Sequence, residues 1–270
     1  MTTTLSANGI TINYHLDARK DQAPDAPVVM MSNSLMSNYA MWDDQIEALT
    51  EDFQVLRYDT RGHGGTDAPA DAYSIGLLVE DVIGLLDALG IDRVHFVGLS
   101  MGGMIAQLLG ATYPDRVISL SLCDTACHMP PASLWDERIE TAQTDGVEAL
   151  SDGTLGRWFT EPFRNAQTEA VDKIRAMIQA TGVQGFVNCA SAIRDMNQCD
   201  ILANITAPTQ VIVGEQDPSC PVSSAEILHC GIPDSRLVVL KNAAHLPNIE
   251  KKDDFNAALI GFLREGDKQT

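Results

Sequence analysis

Ser100, Asp217 and His245 are the residue types that a nucleophilic acyl transfer needs. A serine hydroxyl is a weak nucleophile, so it requires a base to take its proton and an acid to hold that base. Ser100 lies in Gly98-Leu99-Ser100-Met101-Gly102, a G-x-S-x-G pattern. A strand-like run, Val94-His95-Phe96-Val97, leads into it, and a helix-like run from Met104 to Tyr113 leads out. A serine on so sharp a strand-to-helix turn takes a strained backbone, and its flanks must be small. Gly98, Gly102 and Gly103 supply that room. The turn lifts the hydroxyl above the sheet, and the helix N-terminus behind it favours developing negative charge.

Such a turn calls for an acid and then a histidine, both downstream. The strand-like run Gln210-Val211-Ile212-Val213 is followed by Gly214-Glu215-Gln216-Asp217-Pro218. The run Arg236-Leu237-Val238-Val239-Leu240 is followed by a loop that carries Asn242-Ala243-Ala244-His245. Asp217 and His245 therefore each fall in a loop at a strand's C-terminal end. In this arrangement His245 takes the Ser100 proton, while Asp217 holds the imidazole and stabilises its charged form. Asp124, after the strand Val117–Leu122, is the alternative acid. His63, His95, His128 and His229 compete with His245, which alone has the right chain position. The oxyanion needs two donors. The residue after the nucleophile, Met101, offers one backbone N–H. By position, Leu35 in Ser32-Asn33-Ser34-Leu35-Met36 offers the other. Ser32-Asn33 stands where general esterases carry His-Gly.

The elements that must hold these residues alternate. Ile10–His15 alternates like an edge strand, and Val28–Met31 reads as a short buried strand. Met41–Leu49 reads as a helix and Phe53–Tyr58 as a strand. Leu78, Val82, Leu85, Leu86 and Leu89 share one helix face, which Gly90 ends. From Pro130 to Asn197 no buried strand is visible; helical patterns cover Ser133–Thr144, Thr168–Thr181 and Phe186–Met196. Strands resume after Pro208, and a helix over Asp253–Leu263 closes the chain. The alternation predicts an α/β fold with a mostly parallel sheet covered by helices on both faces. The domain reading is a core of residues 1–129 and 198–270 with a helical cap inserted over 130–197, above the strand ends where sites of such sheets lie.

Composition sets the remaining bounds. The chain has 270 residues, 45% of them hydrophobic, with a net charge of −19. That acidity argues against nucleic acid as a partner, since phosphates are repelled. An anionic substrate would need a local cation in the pocket. No apolar run reaches the ~18 residues of a membrane span, and no signal-peptide pattern opens the chain, so neither a membrane partner nor secretion is expected. The expected setting is the cytoplasm. The six cysteines are expected to be free thiols. Cys127-His128 lacks the further ligands of a metal site. No metal or organic cofactor is expected.

At this point the chain resembles a known family, the 3-oxoadipate enol-lactonases of the α/β-hydrolase fold. The resemblance runs nearly end to end. It rests on Ser32-Asn33-Ser34-Leu35, Met41-Trp42, the run Leu56 to Gly64, the Ser100 segment through Gly103, and Cys123-Asp124-Thr125-Ala126. It continues through Arg138-Ile139-Glu140-Thr141, Arg157-Trp158-Phe159-Thr160, Ala207-Pro208-Thr209, Gly214 to Asp217, and His245-Leu246-Pro247-Asn248-Ile249-Glu250. Similar sequences usually carry Gly-Thr where Met36-Ser37 stand, and Ser in place of Pro247; Met36 is expected to reshape the pocket mouth. The resemblance implies hydrolysis of 3-oxoadipate enol-lactone in the breakdown of protocatechuate or catechol. Because this small-molecule lactone carries a carboxylate, a cap arginine should meet it. Arg138 is favoured over Arg157, Arg164 and Arg194, with Trp158 as a pocket wall; Arg61 is read as structural. Three other readings keep the fold: an esterase or lactonase for another substrate, a cofactor-free perhydrolase, and a non-catalytic small-molecule receptor.

Overall fold

The computed structural model describes residues 3–19 and 26–267. Its centre is an eight-stranded sheet. The strands are β1 (Thr3–Ala7), β2 (Ile10–Asp17), β3 (Val28–Ser32), β4 (Gln54–Tyr58), β5 (Val94–Leu99), β6 (Val117–Cys123), β7 (Thr209–Gly214) and β8 (Arg236–Leu240). Their spatial order is β1-β2-β4-β3-β5-β6-β7-β8. Pairing is antiparallel from β1 to β2 and β2 to β4, and parallel elsewhere. β2 is therefore not the edge that its alternation suggests. The edge is β1, whose mostly exposed Thr-Thr-Leu-Ser-Ala sequence carries little strand signal. Residues of β5 and β7 are buried throughout, as expected of strands covered on both faces.

The helices of the sheet are α1 (Asp43–Leu49), α2 (Ile75–Leu89) and α3 (Met101–Thr112). Parallel crossovers are right-handed. The β3–α1–β4 connection runs one way along the sheet, and β5–α3–β6 runs the other. α1 and α3 therefore cover opposite faces. Adjacent β3 and β5 send their chains apart, so a crevice opens beyond their C-terminal ends. The predicted oxyanion loop and Ser100 emerge at that crevice.

Between β6 and β7 the chain forms α4 (Ala132–Asp145), α5 (Ser151–Trp158), α6 (Glu161–Ala166), α7 (Thr168–Ala180) and α8 (Val183–Asp195). After β7 come α9 (Val222–Gly231), α10 (Pro247–Glu250) and α11 (Lys252–Asp267). The two ends of the inserted helices lie side by side: His128 and Asn197 form an antiparallel bridge, and Gln198 N–H donates to Cys127 O at 2.7 Å. Cys127 and Cys199 form a disulfide there, across 72 residues of sequence. This corrects the expectation of free thiols for those two positions. Their juxtaposition is made by the return of the chain from α8, which no local spacing reveals. Among the described residues no helix is long and apolar enough to cross a membrane.

Candidate active site

Ser100 occupies the turn between β5 and α3 with φ 56° and ψ −113°. Positive φ is costly for a residue with a Cβ, so neighbouring contacts must hold it. Ser100 N–H donates to Cys123 O at 2.9 Å, and Thr125 Oγ1–H donates to Ser100 O at 2.7 Å. The turn closes only because its flanks are bare. A Cβ on Gly98 would sit 2.1 Å from Gly102 O, and one on Gly102 would sit 2.2 Å from Ser32 O.

His245 Nδ1 lies 2.7 Å from Asp217 Oδ2, and both side chains are buried. Asp217 Oδ1 also accepts from Ser219 N–H at 2.8 Å. With Nδ1 engaged by the carboxylate, Nε2 is the ring nitrogen left to exchange protons with a substrate or a hydroxyl. Cys220 Sγ completes a group whose ligating atoms lie within 4.8 Å of one another. Its thiol is pushed well up by burial and by the Asp217 and Asp124 carboxyls, so it stays neutral against Met129 Sδ. Asp124, the alternative acid, sits deeper and does not receive the His245 bond.

The loop after β3 is held from three sides. Asn33 Nδ2–H donates to Tyr58 O at 2.7 Å, Asn33 Oδ1 accepts from Trp42 Nε1–H at 3.0 Å, and Asn33 O accepts from Gly102 N–H at 3.0 Å. Ser34 N–H points at Met41 Sδ, and Met36 N–H donates to His63 Nε2 at 3.1 Å. Those neighbouring amides are engaged. The N–H groups of Leu35 and Met101 have no acceptor among the described residues. Burial pushes His63 down to about 4, so its imidazole is neutral and can accept at Nε2. Met36 takes φ 65°, a conformation that favours glycine. It is fully buried and does not stand at the mouth as expected; it reaches the pocket through Arg138, whose Nη2 lies 3.5 Å from Met36 Sδ.

A cavity of about 600 Å³ joins the two halves of the site, with Leu35, Ser100 and His245 on its floor and Arg138, Arg157 and Trp158 on its wall. Trp158 stacks beside His245 with ring centroids 6.2 Å apart, and its carbonyl accepts from Leu246 N–H at 3.1 Å. Arg138 lies between the rings of Trp135 and Phe186, 4.9 and 5.7 Å from their centroids. Burial, then the nearby Arg157 charge, pulls it down to about 10. Among the described residues neither Arg138 nor Arg157 forms an ion pair; Arg157 donates to Thr154 Oγ1, and Arg138 Nε has no acceptor. Arg194, in contrast, is paired with Asp136 and Asp195. Arg61 is also paired, with buried Asp81 on α2 at 2.7 Å from its Nε.

Sequence reasoning missed two supports. One is His63, passed over as a rival base. The other is Glu250, whose carboxylate accepts from Ala244 N–H at 2.9 Å and from Thr160 N–H at 3.2 Å, and also binds the Thr160 hydroxyl. It ties the segment after Trp158 to the residue before His245. The only sequence signal was its place in the run His245 to Glu250.

The model of the α/β hydrolase fold family matches residues 27–252. The chain is 35% identical to 3-oxoadipate enol-lactonase 2 of Acinetobacter baylyi over 97% of its own length and 96% of that protein. The crystal structure of the enol-lactonase from Burkholderia xenovorans LB400 superposes with a TM-score of 0.94 at 35% identity, covering 97% of this chain and 100% of that one. A hydrolase from Pseudomonas aeruginosa PA01 gives 0.92 at 38% identity, covering 97% and 98%. The chain belongs to the α/β-hydrolase family, as a hydrolase of ester bonds. Within that family it is similar to the 3-oxoadipate enol-lactonases.

Proposed function

We propose that the protein hydrolyses 3-oxoadipate enol-lactone to 3-oxoadipate through an acyl-enzyme on Ser100. His245 takes the Ser100 proton at Nε2 as Oγ attacks the lactone carbonyl, while Asp217 holds the imidazole through Nδ1. The oxyanion rests on the Leu35 and Met101 N–H groups, which no protein acceptor engages among the described residues. Collapse breaks the ring C–O bond, and His245 returns its proton to the departing enol oxygen. An enol is a better leaving group than an ordinary alcohol, and it then becomes the ketone. Water, deprotonated by His245, attacks the acyl-enzyme; the Oγ–acyl bond breaks, His245 returns the proton to Ser100 Oγ, and the acid is freed. The proposed setting is the breakdown of protocatechuate or catechol.

One observation carries the choice of substrate: the pocket above Ser100 holds two guanidinium groups without carboxylate partners, in a protein of net charge −19. A buried, unpaired arginine is costly, and a carboxylate of the substrate would relieve it. The test is kcat/KM on enzymatically generated 3-oxoadipate enol-lactone beside p-nitrophenyl acetate and a neutral γ-lactone. A value of about 10⁴ M⁻¹s⁻¹ or more on the enol-lactone alone supports the reading. Faster turnover of the neutral lactone overturns it.

A further inference from the structure

Asp124 follows β6 directly, with φ 42° and no exposed surface. Its backbone N–H donates to Ile212 O at 2.9 Å, and its Oδ1 accepts from Gly214 N–H at 2.8 Å, so it joins the ends of β6 and β7. Its Oδ2 is buried and meets no donor of the protein. Gly214 O in turn accepts from Asp217 N–H at 3.1 Å, so Asp124 and Asp217 flank one turn, and the Asp217 carboxyl is near enough to push the Asp124 carboxyl up. Asp217 is itself buried and already accepts from His245 Nδ1–H and Ser219 N–H. Two buried carboxylates side by side repel, and a proton on one of them turns that repulsion into a hydrogen bond.

We propose that Asp124 is a neutral carboxylic acid whose Oδ2–H donates to the Asp217 carboxylate, making Asp124 a positioning residue for the acid that orients His245. The proton belongs on Asp124, because Asp217 is the partner with N–H donors on both oxygens and an imidazole that becomes cationic. The titratable groups around Asp124 agree. Asp217 and Cys220 act on it from the loop after β7 and Glu250 from α10, while Cys123 precedes it at the end of β6. Burial, followed by the Asp217 charge, pushes the Asp124 carboxyl well up. Asp217 then accepts three hydrogen bonds that together fix its plane. The proton on Asp124 remains there through turnover, and only the proton between Ser100 and His245 moves.

The kinetic consequence rests on the triad proposed above; the protonation state does not. The test uses Asp124→Asn, whose amide can still accept from Gly214 and donate to Asp217, beside Asp124→Ala and the better-filling Asp124→Val, which cannot donate. With p-nitrophenyl acetate, Asp124→Asn is expected to keep kcat within about threefold and the acid limb of its pH profile in place. The two apolar variants are expected to lose about tenfold or more in kcat with little change in KM. The infrared spectrum of the wild type at pH 8 should show a protonated-carboxyl band that Asp124→Asn lacks. The Tm of Asp124→Asn relative to wild type should rise by about 5 °C or more between pH 5 and pH 8, since only the wild type must keep a proton on as pH rises. Absence of the infrared band, a flat Tm difference, or an acid limb displaced by a full pH unit in Asp124→Asn would mean an ionised Asp124 and overturn the proposal. Apolar variants as active as Asp124→Asn would overturn the positioning role. Ser100→Ala is run in parallel; activity surviving there would sink the triad and leave the spectroscopic result standing.

Discussion

Arg138→Met removes the guanidinium and keeps much of the stem between Trp135 and Phe186. If Arg138 reads the substrate carboxylate, the loss should fall on anionic substrates alone. A charge-assisted hydrogen bond contributes about 1.5–3 kcal/mol, and a bidentate pair more. Arg157 stays close enough to repel Arg138, so it stays close enough to keep part of the attraction. A net loss of about 2–3 kcal/mol follows, or about 30- to 150-fold in kcat/KM for the enol-lactone. For p-nitrophenyl acetate the change should stay within about threefold. Stability should move the other way. A folded-state value lowered to about 10 from 12.5 disfavours the native state wherever the group is charged, which includes pH 7. That penalty is at most about 3 kcal/mol, and lost ring contacts return about 1–2 kcal/mol of it. The variant should melt at or above the wild-type temperature. Steady-state kinetics on both substrates and a thermal melt decide the matter. Equal losses on both substrates, or a clear fall in Tm, would refute the carboxylate role.

Other perturbations probe the supports of the site. His63 is held neutral, down to about 4 from 6.5, so the unfolded chain takes up a proton first as pH falls. Stability should therefore be lost from about pH 6.5 down to about 4, by at most about 3 kcal/mol, and His63→Gln should flatten that stretch of a denaturant-midpoint curve. Gly102→Ala would drive a Cβ to 2.2 Å from Ser32 O and 2.5 Å from Ser32 C, both backbone atoms that cannot yield without moving the Leu35 loop. Activity on any ester should fall by about 100-fold or more while the fold persists by circular dichroism. Glu250→Ala leaves the Ala244 and Thr160 donors unpaired. It should cost about 2–4 kcal/mol in urea unfolding, with kcat falling more than KM changes.

How much of this was readable in the chain follows from where each signal resides. β5 and β7 each centre on a short run of apolar residues, and Ser100 sits in a turn whose glycines have one steric purpose, so both are local facts. The pairing of Asp217 with His245 follows from chain order once the sheet is granted. β1 escaped because a polar edge strand has no apolar face to display. α9 escaped because only Ala225 and Leu228 are fully buried along it, too few to set a period. The Cys127–Cys199 link, the Glu250 hold on Thr160 and the His63 bond to Met36 N–H are made by segments far apart in sequence. Their residue types say nothing of the meeting. Met36 is a different case. Its φ of 65° is one that glycine takes without strain, which fits the glycine that the family resemblance leads one to expect there, and the Met36 contact with Arg138 gives the side chain a use.

The acidic surface and the basic pocket belong to one argument. With a net charge of −19, the long-range field repels an anion at low salt. Recognition must then be short-range, inside a site where water is displaced and charge is felt strongly. In the proposed function Arg138 and Arg157 provide that on the wall, while the amides of Leu35 and Met101 are assigned to the carbonyl that becomes the oxyanion. Both devices present donors without protein acceptors among the described residues, and one ligand with a carboxylate at one end and an ester carbonyl at the other would engage both. A neutral ester would engage only the second. On that proposal, discrimination between the two comes from buried cations that are costly without a carboxylate partner, which is how a pocket rejects the wrong ligand as well as holding the right one.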